Sequence, residues 1–324
     1  MHAAVSGRAW LLYGAMAVLW GIPYLFIKEA VDSFSPAAIV AGRTLLGAVI
    51  LLPLAIRRGA LRPALKVWPW VLAFGAIEMA GPFFLLGSAE QTLPSGLTGL
   101  LVATVPLFAA GIALARGDRT MLSPPRAIGL VIGFIGVGVI VVGPGLAVAD
   151  TGSALAAIGQ VLLVAFLYAI APFIIATKLA HVPSIGTITV ALLAVGIAYL
   201  PLALLTQHEV PTLRSTLSLA ALGILCTALA FIGFFALIGE VGPVRAPLFT
   251  YVNPIVAIVL GVLVLGEHLS GGLLIGFPIV IVGCWLAATG GRFRTPADAA
   301  PVAPDPADGL LATSEEPPPA PPTR

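Results

Sequence analysis

Two ionisable side chains, Arg43 and Glu78, interrupt long apolar runs of the sequence. A charged group at membrane depth is energetically costly, so it usually belongs to a functional site or is neutralised by a partner. Arg43 offers a planar fork of donors that suits a substrate carboxylate, and Glu78, removed from water, can take up and release a proton. We predict that both residues line a substrate pathway. The alternative is a structural ion pair in which neither side chain touches substrate.

Aromatic side chains form a second group of candidates. Trp20 and Tyr24 are four residues apart, which places them on one face of a helix. Tyr168 follows Trp20 by 148 residues. We predict that these rings line a cavity for a flat or apolar substrate. Packing between helices or contact with lipid is the alternative interpretation.

Prolines interrupt two of the apolar runs, at Pro106 and Pro254. A proline inside a span breaks the helical hydrogen-bond pattern and leaves backbone carbonyls unpaired. Close to the second proline, Asn253 adds a side-chain amide and Tyr251 an aromatic hydroxyl. We predict that these four residues belong to the pathway, with the prolines marking helix breaks.

Patterns that support enzymes do not occur in the sequence. The four histidines and two cysteines have no metal-ligand spacing, and there is no Gly-x-Ser-x-Gly motif and no phosphate loop. We therefore predict no catalytic residue, no metal, no cofactor and no nucleic-acid partner.

The composition indicates an integral membrane protein. Hydrophobic residues make up 59% of the chain and charged residues 9%, whereas soluble domains carry about 25% charged residues. No Asp, Glu, Lys, Arg or His occurs between Arg126 and Asp150 or between His268 and Arg292, and about 20 apolar residues span a bilayer as a helix. The predicted fold class is an all-α integral membrane protein surrounded by the lipid bilayer.

Ten transmembrane helices are predicted, joined by short loops with helix-breaking residues. At a rise of about 1.5 Å per residue, Glu78 would lie about 15 Å from one membrane face and Arg43 about 12 Å from the other, so their depths are similar. The predicted spans are Trp10–Ile27, Pro36–Ile56, Trp68–Ala89, Ser95–Ala115, Ala127–Val142, Leu155–Thr177, Ile185–Leu205, Ser215–Ile238, Val244–Leu265 and Gly272–Thr289.

The ends of the chain and its basic residues predict the orientation. With residues 1–9 in the cytoplasm, thirteen Lys and Arg residues fall on the inner side and two on the outer side. The positive-inside rule then places both termini in the cytoplasm. The Pro/Ala-rich residues 291–324 cannot bury a core, and we predict a disordered cytoplasmic tail.

Two similar phrases predict an internal repeat. Pro106 and Pro254 are 148 residues apart, and Gly117-Asp118-Arg119 precedes Gly266-Glu267-His268 by 149 residues. We predict five-helix repeats over residues 10–145 and 154–290. Because five is odd, the second repeat would have inverted topology, an arrangement in which transporters hold substrate near the midplane between the repeats.

Two further features concern packing and helix ends. Gly129 and Gly133 form a small-residue face that permits close helix contact, which we assign to packing within the first repeat, with a homodimer seam as the alternative. Glu90 and Gln91 close the third span, where we predict a solvated cap.

These features together resemble the EamA-type exporters of the drug/metabolite transporter superfamily, over about Leu11 to Thr289. The likeness rests on "LWG" at Leu19–Gly21, the arginine in the second span, and a proline followed by a glycine–acid pair in each half. The first half departs from the family's Gly-Glu-Arg by reading Gly117-Asp118-Arg119, a loop triplet expected to cap a helix. The resemblance implies export of small metabolites, often amino acids or related compounds, usually without ATP.

The expected function is that of a secondary transporter of the plasma membrane. It would export a small metabolite, an amino acid or a related amphipathic compound, by alternating access. Proton coupling through Glu78 and facilitated diffusion both remain open. The alternatives are an uptake permease, a non-transporting scaffold or sensor that uses the proline-rich tail, and a membrane enzyme, for which the loops offer no acidic or histidine cluster.

Overall fold

The computed structural model of the protein describes residues 6–118, 123–142, 151–242 and 246–290, and all regular elements in these ranges are helices. Nine of them are long and apolar enough to cross a membrane, and a tenth apolar helix is shorter. In chain order they are α1 (Gly7–Ala30), α2 (Pro36–Arg57), α3 (Trp68–Glu90), α4 (Ser95–Ala115), α5 (Pro124–Val141), α6 (Gly152–Leu179), α7 (Ser184–Thr206), α8 (Leu213–Val241), α9 (Phe249–Leu265) and α10 (Gly271–Thr289).

The predicted all-α membrane fold is thus confirmed, while the count of ten spans stays a prediction. The shorter helix, α9, falls below the length of about 20 residues that crosses the hydrocarbon core. A short helix at Leu61–Lys66 connects α2 to α3. Residues 1–5 of the predicted cytoplasmic N-terminus and the whole predicted tail at 291–324 lie outside the described residues.

Several long helices change their hydrogen-bond pattern partway along their length. Wider π-helical turns interrupt α3 and α8 and end α6, and such turns occur frequently at functional sites. Breaks divide α1 and α4, and α9 begins within a 3₁₀ segment. The π segments are Ala76–Ala80, Ile175–Leu179 and Ile224–Leu229, the 3₁₀ segment is Ala246–Tyr251, and the broken helices resume at Pro23 and Val105.

Short polar residues and glycines set the helix ends. Ser35 Oγ accepts a hydrogen bond from the Ala38 amide at 3.2 Å, and Ser270 Oγ from the Leu273 amide at 3.1 Å, which satisfies free amides at helix starts. Gly266 ends α9 with φ of 66°, a left-handed conformation that a residue with a Cβ adopts only under strain.

The acid after this glycine caps a helix of the other half. Glu267 Oε1 accepts from the Ser95 amide at 2.7 Å, and Glu267 Oε2 from the Gly96 amide at 3.1 Å, at the first turn of α4. A carboxylate at this position also interacts favourably with the helix dipole. The capping role expected for the glycine–acid phrase is therefore present at Glu267.

The glycine face of α5 packs against α10. A Cβ on Gly129 would overlap the backbone at Leu286 and Ala287, and a Cβ on Gly283 would overlap the backbone of Gly133. Our assignment of this face to packing within the first repeat is only partly right: a Cβ on Gly133 would meet Leu107 of α4 in that repeat, but α10 belongs to the second half of the chain. Since α10 occupies the face, these glycines do not form an exposed dimer seam.

Helix α1 is bonded to α8 near both of its ends. Arg8 forms an ion pair with Glu240 at 3.0 Å near the first turn of α1. Near its last turn, Glu29 accepts hydrogen bonds from Arg214 Nε at 3.0 Å and from Ser218 Oγ at 2.6 Å. These contacts tie the first helix of one half to the third helix of the other.

The predicted solvated cap at the end of α3 is half wrong. Gln91 is exposed, but Glu90 has no exposed surface at all. The chain packs over Glu90 because Lys28 of α1 donates to the backbone carbonyls of Glu90 and Leu93, at 2.6 and 3.1 Å. An ammonium group satisfies carbonyls that a helix end leaves unpaired, and this contact draws α1 over the side chain.

Candidate substrate cavity

A cavity of about 280 Å³ lies among the broken and π-interrupted helices. Its size is close to the lower limit of ligand pockets, roughly 300–1,000 Å³. All nine residues predicted for the pathway contribute to its wall. They are Trp20, Tyr24, Arg43, Glu78, Pro106, Tyr168, Tyr251, Asn253 and Pro254.

Arg43 is buried but keeps much of its donor capacity. Its Nε donates to Thr227 Oγ1 at 3.0 Å, and its guanidinium carbon lies 3.8 Å from the centroid of the Phe83 ring. A guanidinium group carries five N–H donors. Within the described part of the chain, the Arg43 guanidinium donates its hydrogen bond through Nε. Thr227 and Phe83 therefore fix the orientation of a planar group whose terminal nitrogens remain available at the cavity.

Glu78 lies at the centre of the π segment Ala76–Ala80. The π turn changes the direction in which successive side chains leave the helix at this point of α3. Glu78 lies in the cavity wall. The ion pairs within the described residues do not include one between Glu78 and Arg43. Both charges share one cavity without direct neutralisation, so the structural pair is not formed in this conformation.

The predicted prolines start new helical segments. After the break in α4 the helix resumes at Val105, and Pro106 lies in the first turn of this segment. Pro254 follows Asn253 at the start of the α-helical segment Asn253–Leu265 of α9. With its amide oriented toward acceptors, Asn253 donates to the carbonyls of Ala17 and Phe249, each at 3.2 Å. Asn253 thus joins α1 to α9 and also lines the cavity.

Trp20 closes one side of the cavity within an aromatic cluster. Its ring centroid lies 5.8 Å from that of Phe231, 5.0 Å from Phe234 and 5.3 Å from Phe249. Contacts of this kind stabilise aromatic pairs beyond their burial. The break in α1 after Leu19 turns the indole toward α8 and α9.

Sequence analysis missed several members of this wall, including Phe83, Phe231 and Cys226. The repeat spacing of 148 residues could have found Cys226, which it relates to the predicted Glu78, whereas it relates Phe83 and Phe231 only to each other. The related lining positions are Trp20 and Tyr168, Glu78 and Cys226, Phe83 and Phe231, Val102 and Thr250, Ala103 and Tyr251, Val105 and Asn253, and Pro106 and Pro254.

Solved structures support the fold. A crystal structure of a protein superposes with a TM-score of 0.61 and 22% identity, covering 88% of this chain and 98% of its own. At this identity the likeness concerns the fold alone.

Curated relatives are named as transporters. The chain is 27% identical over 260 residues to "Uncharacterized inner membrane transporter YedA" of Escherichia coli (strain K12), covering 79% of this chain and 82% of that protein. It is 25% identical over 288 residues to "Uncharacterized transporter YvbV" of Bacillus subtilis, covering 87% and 92%. It is also 25% identical over 285 residues to "Probable terminal-alkyne amino-acid exporter" of Streptantibioticus cattleyicolor, covering 87% and 93%.

The family model described as "EamA-like transporter family" matches the chain twice, at residues 8–142 and 155–289. The two matches together account for most of the chain. The protein is a multi-pass membrane transporter that belongs to the EamA-like transporter family.

Proposed function

We propose that the protein exports a small metabolite, an amino acid or a related amphipathic compound, across the plasma membrane. The observation that carries this proposal is the central cavity, which combines one guanidinium, one carboxyl and several aromatic rings. An amphipathic metabolite presents the matching groups, namely a carboxylate, a polar or cationic centre and an apolar body. A relative named as a probable amino-acid exporter supports both the substrate class and the direction.

Within this proposal, the terminal nitrogens of Arg43 bind a substrate carboxylate, because charge-assisted bonds from a planar fork are strong and directional. Glu78 accepts the amino or another polar group of the substrate. The rings of Trp20 and Tyr168 contact the apolar part. Tyr24, Tyr251 and Asn253 add hydrogen bonds to the polar parts, and each helix break leaves backbone groups that can do the same.

Alternating access is supported by the contribution of both halves of the chain to the cavity wall. Seven lining pairs are related by the 148-residue spacing, so the halves of the chain contribute similar surfaces to one cavity. We propose ten spans in two inverted repeats, at residues 10–145 and 154–290, with both termini in the cytoplasm. Rocking of one repeat against the other would then expose the cavity to each side in turn.

Two alternatives share part of this description. An uptake permease would use the same cavity with the opposite net flux. A scaffold or sensor would depend on the proline-rich residues after Arg294. Removing those residues separates the two classes, since a transporter keeps its flux and a tail-dependent scaffold loses its activity.

The first experiment compares metabolites in the medium of cells that express the parent protein, Arg43→Ala or Glu78→Gln at equal abundance in the membrane. We expect one or a few compounds to accumulate outside with the parent protein and to fall in both variants. His208→Ala, an exposed position outside the cavity, is the matched control. Accumulation inside the cells would favour the permease, and identical profiles under varied nutrient supply would contradict export of common metabolites.

A further inference from the structure

Glu90, at the end of α3, is a buried carboxyl without partners. Its exposed surface is 0%, and neither carboxylate oxygen has a hydrogen-bond partner among the described residues. Ser95 Oγ, at the start of α4, is buried nearby in sequence and also lacks a partner. Glu90 does not line the substrate cavity, so it requires a separate explanation.

The charged groups near Glu90 do not neutralise it. Lys28 directs its ammonium to the backbone carbonyls of Glu90 and Leu93, and the ion pairs of the described residues do not include Lys28 with the Glu90 carboxylate. Glu267, from the segment after α9, is the second charged neighbour. Its carboxylate is engaged by the amides of α4 and repels a negative charge at Glu90.

These surroundings decide the charge of the group. An ionised carboxylate that is sealed from water and lacks hydrogen-bond donors is strongly disfavoured, and such a group takes up a proton instead. The positive charge of Lys28 and the negative charge of Glu267 act on Glu90 in opposite directions. Among the described residues, Tyr24 of α1 is a further titratable group near this site, and its hydroxyl is neutral near neutral pH.

We propose that Glu90 is a proton-binding site, separate from the substrate cavity, which holds a proton while the junction of α1, α3 and α4 is closed and releases it when that junction opens to water. On release the O–H bond of the carboxyl breaks and the proton passes to water. The carboxylate that remains is then free to pair with Lys28, which leaves the helix-end carbonyls. Closure reverses each of these changes.

The position of Tyr24 connects this site to transport. Its ring lies in the cavity wall, and it also packs against α4, where a Cβ added to Gly99 would lie 3.1 Å from the ring. A substrate that displaces Tyr24 would therefore disturb the contact between α1 and α4 at this junction. The proton site itself does not depend on which compound is transported, whereas its use in coupling rests on the proposed export function.

The protonation state is tested on the purified full-length protein in lipid vesicles, without any substrate. Infrared difference spectra between acidic and alkaline buffer report the carbonyl band of a neutral carboxyl. We expect Glu90→Gln to remove one such band, and the exposed neighbour variant Gln91→Ala to retain it. Glu78→Gln serves as a second control, because it removes the cavity carboxyl and leaves the Glu90 band. A spectrum that Glu90→Gln does not change would overturn the proposal.

Opening of the junction is tested by amide hydrogen exchange over residues 90–101, corrected for the pH dependence of the chemical exchange step. Release of one proton on opening predicts that the opened population rises by up to about tenfold per pH unit. In Glu90→Gln, which cannot release a proton, we expect this pH dependence to disappear. An unchanged pH dependence in the variant, or opening that follows sodium concentration at fixed pH, would contradict a proton site. Both measurements can fail while export persists, so they are distinguishable from the metabolite experiment.

Discussion

Replacement of Arg43 tests whether the cavity binds a carboxylate or only packs around a buried cation. The guanidinium is fixed by Thr227 at 3.0 Å and by the Phe83 ring at 3.8 Å, so its terminal nitrogens are already oriented before substrate binds. A hydrogen bond to a charged group contributes about 1.5–3 kcal/mol net. Loss of one such bond in Arg43→Ala therefore predicts a decrease in transport efficiency of about 10- to 150-fold.

Two further variants separate charge from orientation. Arg43→Lys keeps the positive charge but loses the planar fork, and we expect an intermediate decrease. Thr227→Val keeps the guanidinium and the volume of the side chain but removes the acceptor of Nε. Because an ordinary hydrogen bond contributes about 1 kcal/mol, we expect its efficiency to fall by about fivefold.

The assay is exchange of the exported compound in proteoliposomes, with KM and maximal rate measured separately and melting temperature recorded for each variant. The reasoning predicts that KM rises in the order parent, Thr227→Val, Arg43→Lys, Arg43→Ala. If Arg43→Ala leaves KM within about twofold of the parent while the melting temperature falls, the cation is structural, and our interpretation of the cavity is wrong.

Three other variants follow from the fold. Gly283→Leu places a side chain against the backbone of Gly133, and such overpacking lowers the stability of the fold by about 1–3 kcal/mol or more. The control is Gly138→Ala, where no atom lies within 4 Å of an added Cβ, and it should melt at or slightly above the parent temperature. Glu267→Ala removes the acceptor of two α4 amides and should lower stability by about 1–2 kcal/mol, whereas His268→Ala, at the exposed neighbouring position, should not. Equal melting temperatures of Glu267→Ala and the parent protein would contradict the capping role. Glu240→Ala breaks an ion pair whose arginine side chain is 73% exposed, so we expect less than about 1 kcal/mol, and a large decrease in melting temperature would show that this contact holds α1 in place.

The long helices could be predicted because their signal is local. A charge-free run has the length of the membrane core, and a serine, proline or glycine marks its end, so the predicted span Trp68–Ala89 agrees with the observed helix Trp68–Glu90 within one residue. The internal spacing of 148 residues similarly placed Pro106 and Pro254 at corresponding helix breaks. These inferences require only composition and order along the chain.

Features that depend on neighbouring helices could not be predicted in the same way. The depth argument brought Arg43 and Glu78 to one level, but no local pattern indicates that Arg43 turns toward Thr227 and Phe83 rather than toward the carboxylate. The π turn that carries Glu78 has no composition signal, because it shifts the backbone hydrogen bonds without changing residue type. Glu90 occupies a helix end, where exposure is the usual expectation, and its burial follows from the approach of α1.

The paired positions of the cavity wall differ in one respect that bears on how a substrate binds. Where the two halves carry the same residue, as at Pro106 and Pro254 or Phe83 and Phe231, the shared feature is a helix break or an aromatic surface. Where they differ, the polar groups are divided between the halves.

Both ionic groups, Arg43 and Glu78, come from the first half, whereas the neutral polar groups come from both halves, Tyr24 from the first and Tyr251 and Asn253 from the second. Under the proposed function, this uneven distribution of charge would hold an amphipathic compound in one orientation. If the repeats exchange conformations during transport, the charged end of the substrate stays with the first repeat while access to the cavity changes. The similar backbones of the two repeats would then allow the two access states. The different side chains of the two repeats would keep the substrate in one orientation in both states.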